Sequence, residues 1–134
     1  MAQDNDWFIT PPLPDKIFPW EKYNPVTREE VADFFNAPEV RVIKQRMVDI
    51  GRRLWQREFV DGNGGNISVR VAQNLLLCSP TLCSKGFMTE EDICLVDMNA
   101  RQKAGYRPAT SEAKTHTAMT KATGGHSCHL AHAA

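Results

Sequence analysis

The stretch DGNGGNISVRV, from Asp61 to Val71, places three of the chain's eight glycines within four positions and then alternates apolar with other residues. Such alternation is typical of a β-strand with one buried face. A glycine-rich turn can present several backbone N–H groups to one anion, but it can also be a plain tight turn. The stretch is not a P-loop, because no Gly-Lys-Ser/Thr follows, and it is not a dinucleotide fingerprint, because a strand rather than a helix follows. It predicts a turn that leads directly into a strand and leaves open whether that turn binds phosphate.

Two helices are predicted before this stretch. Thr27 is followed three residues later by Glu30, the spacing of a capping box. Pro38 suits the first position of a second helix. Apolar residues recur there at three- and four-residue steps and predict its buried stripe: Val40, Ile43, Met47, Ile50 and Leu54. The solvated face of the same helix is predicted to carry four basic residues: Arg41, Lys44, Arg52 and Arg53.

Three strands and another helix are predicted after the glycines. Apolar runs place strands at about residues 66–72 and 74–79, and a third at Ile93–Asp97 after a short helical turn. The polar run at residues 98–105 is predicted to be a turn. Thr110 or Ser111 is the predicted cap of the next helix. The order helix, helix, three strands, helix favours an α/β fold in which helices cover a sheet.

The first 26 residues differ in composition from the rest of the chain. They hold five of the eight prolines, mixed with several aromatic residues. Proline at this density prevents regular helix and sheet hydrogen bonding, while the aromatic residues argue against a free tail. The sequence therefore predicts an arm at residues 1–26, docked on the domain or on a neighbouring subunit, and a domain portion at residues 27–134.

Composition and charge exclude several classes of partner. The 134 residues are 42% hydrophobic and 24% charged, ordinary values for one soluble domain. The 16 basic and 16 acidic side chains cancel, so no nucleic acid is expected as a partner. No apolar run approaches the length of a membrane span, and the N-terminus lacks the pattern of a signal peptide. We expect a cytoplasmic protein whose four cysteines are reduced.

Two further polar segments could contact the same anion as the glycine-rich turn. One is the loop from Ser79 to Gly86, which follows a predicted strand and carries several hydroxyls. The other is the segment before the last predicted helix. There Thr110 and Ser111 supply hydroxyls at a helix N-terminus, where backbone N–H groups and the helix dipole favour negative charge. Glu112 follows in the first turn. It is either a carboxylate that complements the dipole or, beside bound phosphate and a metal, a general acid/base.

All four histidines lie in the last 19 residues of the chain. Imidazole is a common ligand of zinc, which makes His126, His129 and His132 candidate metal ligands. These three are each three positions apart, so a regular strand would direct neighbouring members to opposite faces. A bulge or a helical turn would be needed to bring two together, and the spacing alone leaves metal binding undecided.

Four segments occur in a fixed order between about Val40 and Ala134: GNGGNISVR, LLLCSPT, TEEDICLVD and PATSEAKTH. They resemble, in the same order, the Gly-Gly-Asn-Ser/Val strand start, the ITPTG loop, the TPEDIVVVD segment and the PSSE…H segment of the class II aldolase/adducin family. That family includes fuculose-phosphate and rhamnulose-phosphate aldolases and ribulose-phosphate 4-epimerase. Each motif is weak when taken singly, whereas the ordered set is specific.

The resemblance implies a fold and a chemistry. The fold would be a central, mainly antiparallel sheet flanked by helices, in a homotetramer with sites between subunits. The protein would cleave or epimerise a ketose phosphate, while zinc polarises the ketone oxygens and stabilises an enediolate. Glu112 would move the proton. Phosphate would be held by Asn66, Thr81, Thr110 and Ser111, and zinc by His129 and His132, with His126 as a further candidate.

Three departures from the family pattern bear on this interpretation. Leu82 stands where the family has glycine, Ala109 and Thr110 replace a serine-rich approach, and His129-Leu-Ala-His132 replaces His-x-His. The family's C-terminal segment has no counterpart in this sequence, so we expect an N-terminal portion that binds zinc weakly, lacks turnover and self-associates. An adducin-like binding module without catalysis and an inactive fragment are the alternatives.

Overall fold

A five-stranded antiparallel sheet forms the centre of the computed structural model, which describes residues 18–56, 66–81, 86–123 and 127–130. The helices are α1 (Arg28–Phe35), α2 (Pro38–Gln56) and α3 (Ala113–Thr123), with 3-10 turns at Trp20–Lys22 and Glu90–Asp92. The strands are β1 (Asn66–Ala72), β2 (Leu75–Cys78), β3 (Cys94–Asp97), β4 (Gln102–Ala104) and β5 (Ser127–Leu130). Their order across the sheet is β4-β3-β2-β1-β5, and each neighbouring pair is antiparallel. The predicted sheet flanked by helices is confirmed.

The first two predicted helix starts are confirmed. The Glu30 amide donates to Thr27 Oγ1 at 3.1 Å, and Glu30 Oε1 accepts from the Thr27 amide at 3.0 Å. This reciprocal capping box satisfies two backbone donors that the first turn of a helix cannot use internally. Pro38 is the first residue of α2, where its missing N–H has no cost.

The predicted turn at residues 98–105 is wrong in part, because a short strand lies within it. Gln102 pairs with Val96 and Ala104 pairs with Leu95, which makes β4 the edge of the sheet next to β3. Gln102 and Lys103 are exposed. An exposed edge strand carries polar side chains and has no apolar alternation, so the sequence pattern could not show it.

The main hydrophobic core lies between one face of the sheet and helices α1 and α2. Val40, Ile43 and Met47 of α2 are at most 3% exposed. They share a cluster with alternate residues of the central strands: Ile67, Val69, Val71, Leu75, Leu77 and Leu95. The predicted stripe is wrong at Ile50, which is 41% exposed. The opposite face of the sheet carries a smaller cluster of Leu76, Cys78, Cys94 and Val96.

The prediction that Lys44 lies on the solvated face of α2 is wrong, because this residue is only 6% exposed. Its Nζ donates to the Phe35 carbonyl at 2.8 Å and lies 3.4 Å from the centroid of the Phe35 ring. Burial lowers the pKa of this amine, and the nearby charge of Arg41 lowers it further, while Glu90 acts in the opposite direction. The end of α1 thus provides the partners that make burial of this charge tolerable.

Part of the proline-rich segment packs on the β1–β2 hairpin. The Gln73 amide donates to the Tyr23 carbonyl at 2.8 Å, and Asn74 Nδ2 donates to the Pro25 carbonyl at 2.7 Å. The Arg70 guanidinium lies 3.8 Å from the centroid of the Trp20 ring. Residues 18–26 therefore contact the domain of their own chain. Residues 1–17 lie outside the described ranges, and the boundary between arm and domain at residue 26 stays a prediction.

Within the described ranges, none of the helices combines the length and apolar character that a membrane span requires. Cys78 and Cys94 are buried thiols that face each other across β2 and β3. Burial raises the pKa of the Cys78 thiol to about 12, with a smaller contribution from Cys94.

Candidate functional site

Three segments far apart in sequence meet at the end of the sheet where β1 begins. The Thr110 hydroxyl donates a short hydrogen bond to Asn66 Oδ1, and both residues are buried. The Thr110 amide donates to the Ser79 carbonyl at 3.0 Å. The start of β1, the end of β2 and the approach to α3 are thereby joined. Asn66 and Thr110, two of the four predicted phosphate ligands, are in direct contact.

Ser79 joins the first two of these segments, and the sequence predicted it only as part of the polar loop from Ser79 to Gly86, not as a named phosphate ligand. It is fully buried. Its Oγ accepts from the Ile67 amide at 3.2 Å, and its own amide donates to the Ile67 carbonyl at 3.0 Å. The only signal in the sequence is a single polar residue directly after the apolar run of β2. Its partners lie 12 residues away, so the sequence could not show the role.

The Gln102 side chain holds the segment that leads to Thr110. Gln102 Nε2 donates to the Arg107 carbonyl at 2.7 Å, and Gln102 Oε1 accepts from the Ala109 amide at 2.9 Å. On the other side, the Thr81 amide donates to the Pro108 carbonyl at 2.9 Å. Thr81, the third predicted phosphate ligand, therefore lies beside the residues that precede Thr110.

Asp92 fixes the same segment further upstream. Its Oδ1 accepts from the Tyr106 hydroxyl at 2.6 Å and lies 3.5 Å from Arg107 Nη1, while Oδ2 accepts from the Thr89 amide at 2.9 Å. Burial raises the pKa of this carboxyl, but the hydrogen bonds from Tyr106 and Thr89 and the charge of Arg107 together outweigh burial and lower it. The carboxylate form is thus favoured in the folded protein.

His116 joins α3 to β1 and was also not predicted as a site residue. It is fully buried, and its Nδ1 lies 2.6 Å from Ser68 Oγ. Ser68 and Asn66 are two positions apart on β1, so their side chains lie on the same face of the strand. The segment from Thr110 to His116 is therefore attached to β1 at two points. A histidine four residues after Glu112 was the available signal, but spacing does not show which strand it contacts.

Ser111 and Glu112 lie between these two attachment points, at the start of α3. Ser111 is exposed and Glu112 is partly exposed. The Glu112 amide donates to Thr110 Oγ1 at 3.2 Å, and its carbonyl accepts from the His116 amide at 3.1 Å. Both residues are thus accessible to a ligand beside a helix N-terminus, where an anion is favoured. Their assignment as phosphate ligand and general acid/base stays a prediction.

The described residues cover only part of the predicted metal site. The backbone of His129 lies in β5 opposite Ile67, next to the position of Asn66 in β1. His126, His132 and the glycine-rich turn at residues 61–65 lie outside the described ranges. No group of three metal-ligating side chains occurs among the residues that the structure describes. Zinc and its ligands therefore stay predictions.

The family profile described as "Class II Aldolase and Adducin N-terminal domain" matches residues 45–133. The chain belongs to the class II aldolase and adducin family. It is similar to an L-fuculose phosphate aldolase of Methanococcus maripaludis, with 45% identity over 69 residues, which are 52% of this chain and 37% of that protein. It is also similar to a 3-oxo-tetronate 4-phosphate decarboxylase of Haemophilus influenzae, with 37% identity over 78 residues, which are 58% of this chain and 37% of that protein.

Solved structures agree with the family membership. An L-fuculose 1-phosphate aldolase superposes with a TM-score of 0.59 and 27% identity, covering 66% of this chain and 43% of that protein. YgbL of Escherichia coli, described as a putative aldolase/epimerase/decarboxylase, gives a TM-score of 0.65 at 20% identity, covering 70% of this chain and 45% of that protein. The second likeness shows the fold alone. This chain matches less than half the length of each of these four relatives.

Proposed function

We propose that this chain forms the phosphate-binding part of the active site of an aldolase-type lyase that acts on a ketose phosphate. The observation that carries the proposal is the hydrogen bond between Thr110 and Asn66, which joins two of the family's motifs 44 residues apart. Two similar proteins are named for a phosphorylated substrate, L-fuculose phosphate and 3-oxo-tetronate 4-phosphate. A shared phosphate group would require shared donors, and the start of β1 and of α3 offers them.

Each predicted residue has a role that its surroundings support. Asn66 Nδ2, the Ser111 hydroxyl and Thr81 would donate to the phosphate oxygens, because hydrogen bonds to a charged acceptor are strong. The N-terminus of α3 would add a favourable dipole. Glu112 lies next to Ser111, so a substrate held by its phosphate would place its reacting carbon within reach of this carboxylate. Glu112 would then take or return the proton.

Zinc is part of the proposal because class II aldolases generally depend on a metal. When bound, the ion would supply a Lewis acid for the substrate oxygens. His129 and His132, with His126 as a third candidate, would hold it. The described part of the chain places only the backbone of His129, beside β1. The steps assigned to Asn66, Ser111 and Glu112 do not depend on which imidazoles bind the ion.

Titration followed by NMR tests the phosphate site directly. We expect L-fuculose 1-phosphate to shift the amide signals of Asn66, Thr81 and Ser111, and L-fuculose to leave them unchanged. Ser111→Ala should weaken binding by about 1 kcal/mol, the value of one hydrogen bond. Thr115→Ala, which removes an exposed hydroxyl from the same helix, is the matched control. Shifts confined to the basic side chains of α2 would contradict the proposed site.

The role of Glu112 separates an enzyme from a binding module. In a full-length, active relative of this chain, Glu112→Gln should lower turnover about a hundredfold or more with metal content unchanged, as expected for lost general acid/base catalysis. Glu91→Gln, at an exposed position before β3, should leave turnover unchanged. Phosphate binding without turnover under any metal loading would favour the adducin-like module. If Glu112→Gln only lowers the melting temperature, Glu112 is a helix cap.

We also propose that the intact protein is a homo-oligomer, as the resemblance implies. Sedimentation at several protein concentrations tests this. A monomer at all concentrations would contradict it and would remove the basis for a site between subunits.

A further inference from the structure

The hydroxyl of Thr110 has two partners inside the protein. Thr110 Oγ1 accepts from the Glu112 amide at 3.2 Å and donates to Asn66 Oδ1. A backbone N–H can only donate, so the hydroxyl oxygen must accept there, and its single proton remains for Asn66. Thr110 is 5% exposed and Asn66 is 7% exposed. Water is therefore a poor substitute for either partner, and the orientation in which Thr110 donates to Asn66 Oδ1 is favoured because it gives the buried hydroxyl proton an acceptor.

This bond determines which end of the Asn66 amide faces away from Thr110. An asparagine side chain has an acceptor oxygen at one end and two donor hydrogens at the other. If the amide flipped, Nδ2 could donate to the remaining lone pair of Thr110 Oγ1, but the Thr110 proton would then lose Asn66 Oδ1 as its acceptor while buried. That arrangement leaves a buried donor unsatisfied and is unfavourable. The Nδ2 hydrogens consequently point away from Thr110.

We propose that Thr110 is a positioning residue that fixes the Asn66 amide with its Nδ2 donors directed at the anion and its Oδ1 acceptor turned away. The proposal rests on the phosphate site proposed above. In the flipped orientation Oδ1 would face the phosphate oxygens and repel them. Thr110 itself then need not touch the phosphate, because its one proton is already used. This changes its predicted role from ligand to orienting group.

The position of Thr110 is held by bonds that do not involve a ligand. Its amide donates to the Ser79 carbonyl at 3.0 Å. Six residues later, His116 Nδ1 lies 2.6 Å from Ser68 Oγ, so the segment is attached to β1 on both sides of Ser111 and Glu112. The hydroxyl of Thr110 is thus in place before any anion binds, which is the condition for a preorganised donor.

The test uses Thr110→Val, which keeps the shape of the side chain and removes the hydroxyl, and Thr110→Ser, which restores the hydroxyl. The first readout is the NMR signal of the Asn66 Nδ2 hydrogens in the free protein. We expect it to be the same in wild type and Thr110→Ser, and to shift in Thr110→Val toward the signal of exposed Asn99. The second readout is the Kd for inorganic phosphate. It should rise about fivefold to tenfold in Thr110→Val, the effect of one misdirected hydrogen bond, and recover in Thr110→Ser.

A further substitution checks the donor requirement without changing Thr110. Asn66→Asp keeps the acceptor for Thr110 but has no Nδ2 hydrogens, so phosphate binding should fall more than about tenfold. Asn99→Asp makes the same change in an exposed turn and should leave the Kd unchanged. If Thr110→Val does not fold, Thr110→Ala carries the same expectations.

An unchanged Asn66 Nδ2 signal and an unchanged Kd in Thr110→Val would overturn the proposal. Wild-type protein that binds no phosphate would instead refute the proposed function. In that case the Nδ2 signal of the free protein would still decide whether Thr110 orients Asn66, so the two failures are distinguishable.

Discussion

Replacing Asp92 by asparagine should destabilise the protein, and the structure indicates by how much. The new side chain would keep the shape of Asp92 but would have one acceptor oxygen where the carboxylate has two. The Thr89 amide can only donate, so the asparagine oxygen must face Thr89 and its NH2 group must face Tyr106. The Tyr106 hydroxyl can rotate so that its oxygen accepts a hydrogen bond from that NH2 group. Arg107, 3.5 Å from Asp92 Oδ1, would lose this charged partner and face a donor.

The expected loss follows from the value of these contacts. Hydrogen bonds to a charged group contribute about 1.5–3 kcal/mol each, against about 0.5–1.5 kcal/mol for neutral ones. Asp92 is buried, but its partners Tyr106 and Thr89 are exposed, so solvent screening reduces the gain. We expect Asp92→Asn to lower the free energy of unfolding by about 1–2 kcal/mol near neutral pH. Asp33→Asn on the exposed face of α1 should change it by less than about 0.5 kcal/mol.

The effect should depend on pH in a defined direction. Burial raises the pKa of Asp92, but the hydrogen bonds from Tyr106 and Thr89 and the charge of Arg107 lower it more. The folded pKa is therefore below the unfolded value of about 3.9. A carboxyl of this kind contributes stability above the unfolded pKa and loses it as pH falls through the folded pKa. The difference between wild type and Asp92→Asn should be full near neutral pH and shrink below about pH 4.

Urea unfolding followed by circular dichroism, in a pH series from about 7 to about 3.5, measures both quantities. The slope of the transition should be the same for the two proteins, so that the difference in midpoint reports stability. A loss for Asp92→Asn that stays constant across the series would show that the shape of this site, and not the charge of Asp92, matters.

Two further predictions concern close contacts elsewhere in the fold. Lys44→Met should lower the free energy of unfolding by about 1–2 kcal/mol in urea titration, because the Phe35 carbonyl loses a charged donor. Arg52→Met, on the exposed side of α2, is the control. Equal losses of stability in the two variants would contradict the buried contact of Lys44. Gly86→Ala should cost about 1 kcal/mol or more and shift the Trp55 indole NMR signal, because the new Cβ would lie 2.5 Å from Trp55 Cδ2. The same substitution in a Trp55→Ala background should cost much less, and an equal cost would show that the Trp55 ring is not the obstacle.

Features encoded by neighbouring residues could be predicted from the sequence. The capping box of Thr27 and Glu30 depends on contacts three residues apart, and Pro38 marks a helix start by its own geometry. Strands β1, β2 and β3 could be found because the buried sheet requires apolar residues at fixed intervals. The motif order identified the family, since several weak local patterns together are specific.

Features set by distant partners could not be predicted in the same way. Lys44 looks like a surface residue of α2, and only the end of α1 supplies the carbonyl and the ring that allow its burial. β4 is polar because it is an exposed edge, so it resembles a turn. Ser79 and His116 are polar residues whose partners lie 12 and 48 positions away. For the candidate site, the sequence indicated candidate ligand residues but not the residues that hold them in place.

The supporting hydrogen bonds of the candidate site are made between groups of the protein and do not involve a ligand. The Gln102 side chain forms hydrogen bonds with both ends of the stretch from Arg107 to Ala109. The Ser79 carbonyl accepts a hydrogen bond from the Thr110 amide, and the Ser68 hydroxyl contacts the His116 ring. These bonds connect α3 and the segment before it to strands β1 and β4 and to the residue that follows β2. Ordering a loop on binding would reduce affinity, whereas donors fixed in advance retain their full effect on a bound anion. The polar residues that were not predicted therefore hold the candidate ligand residues in place.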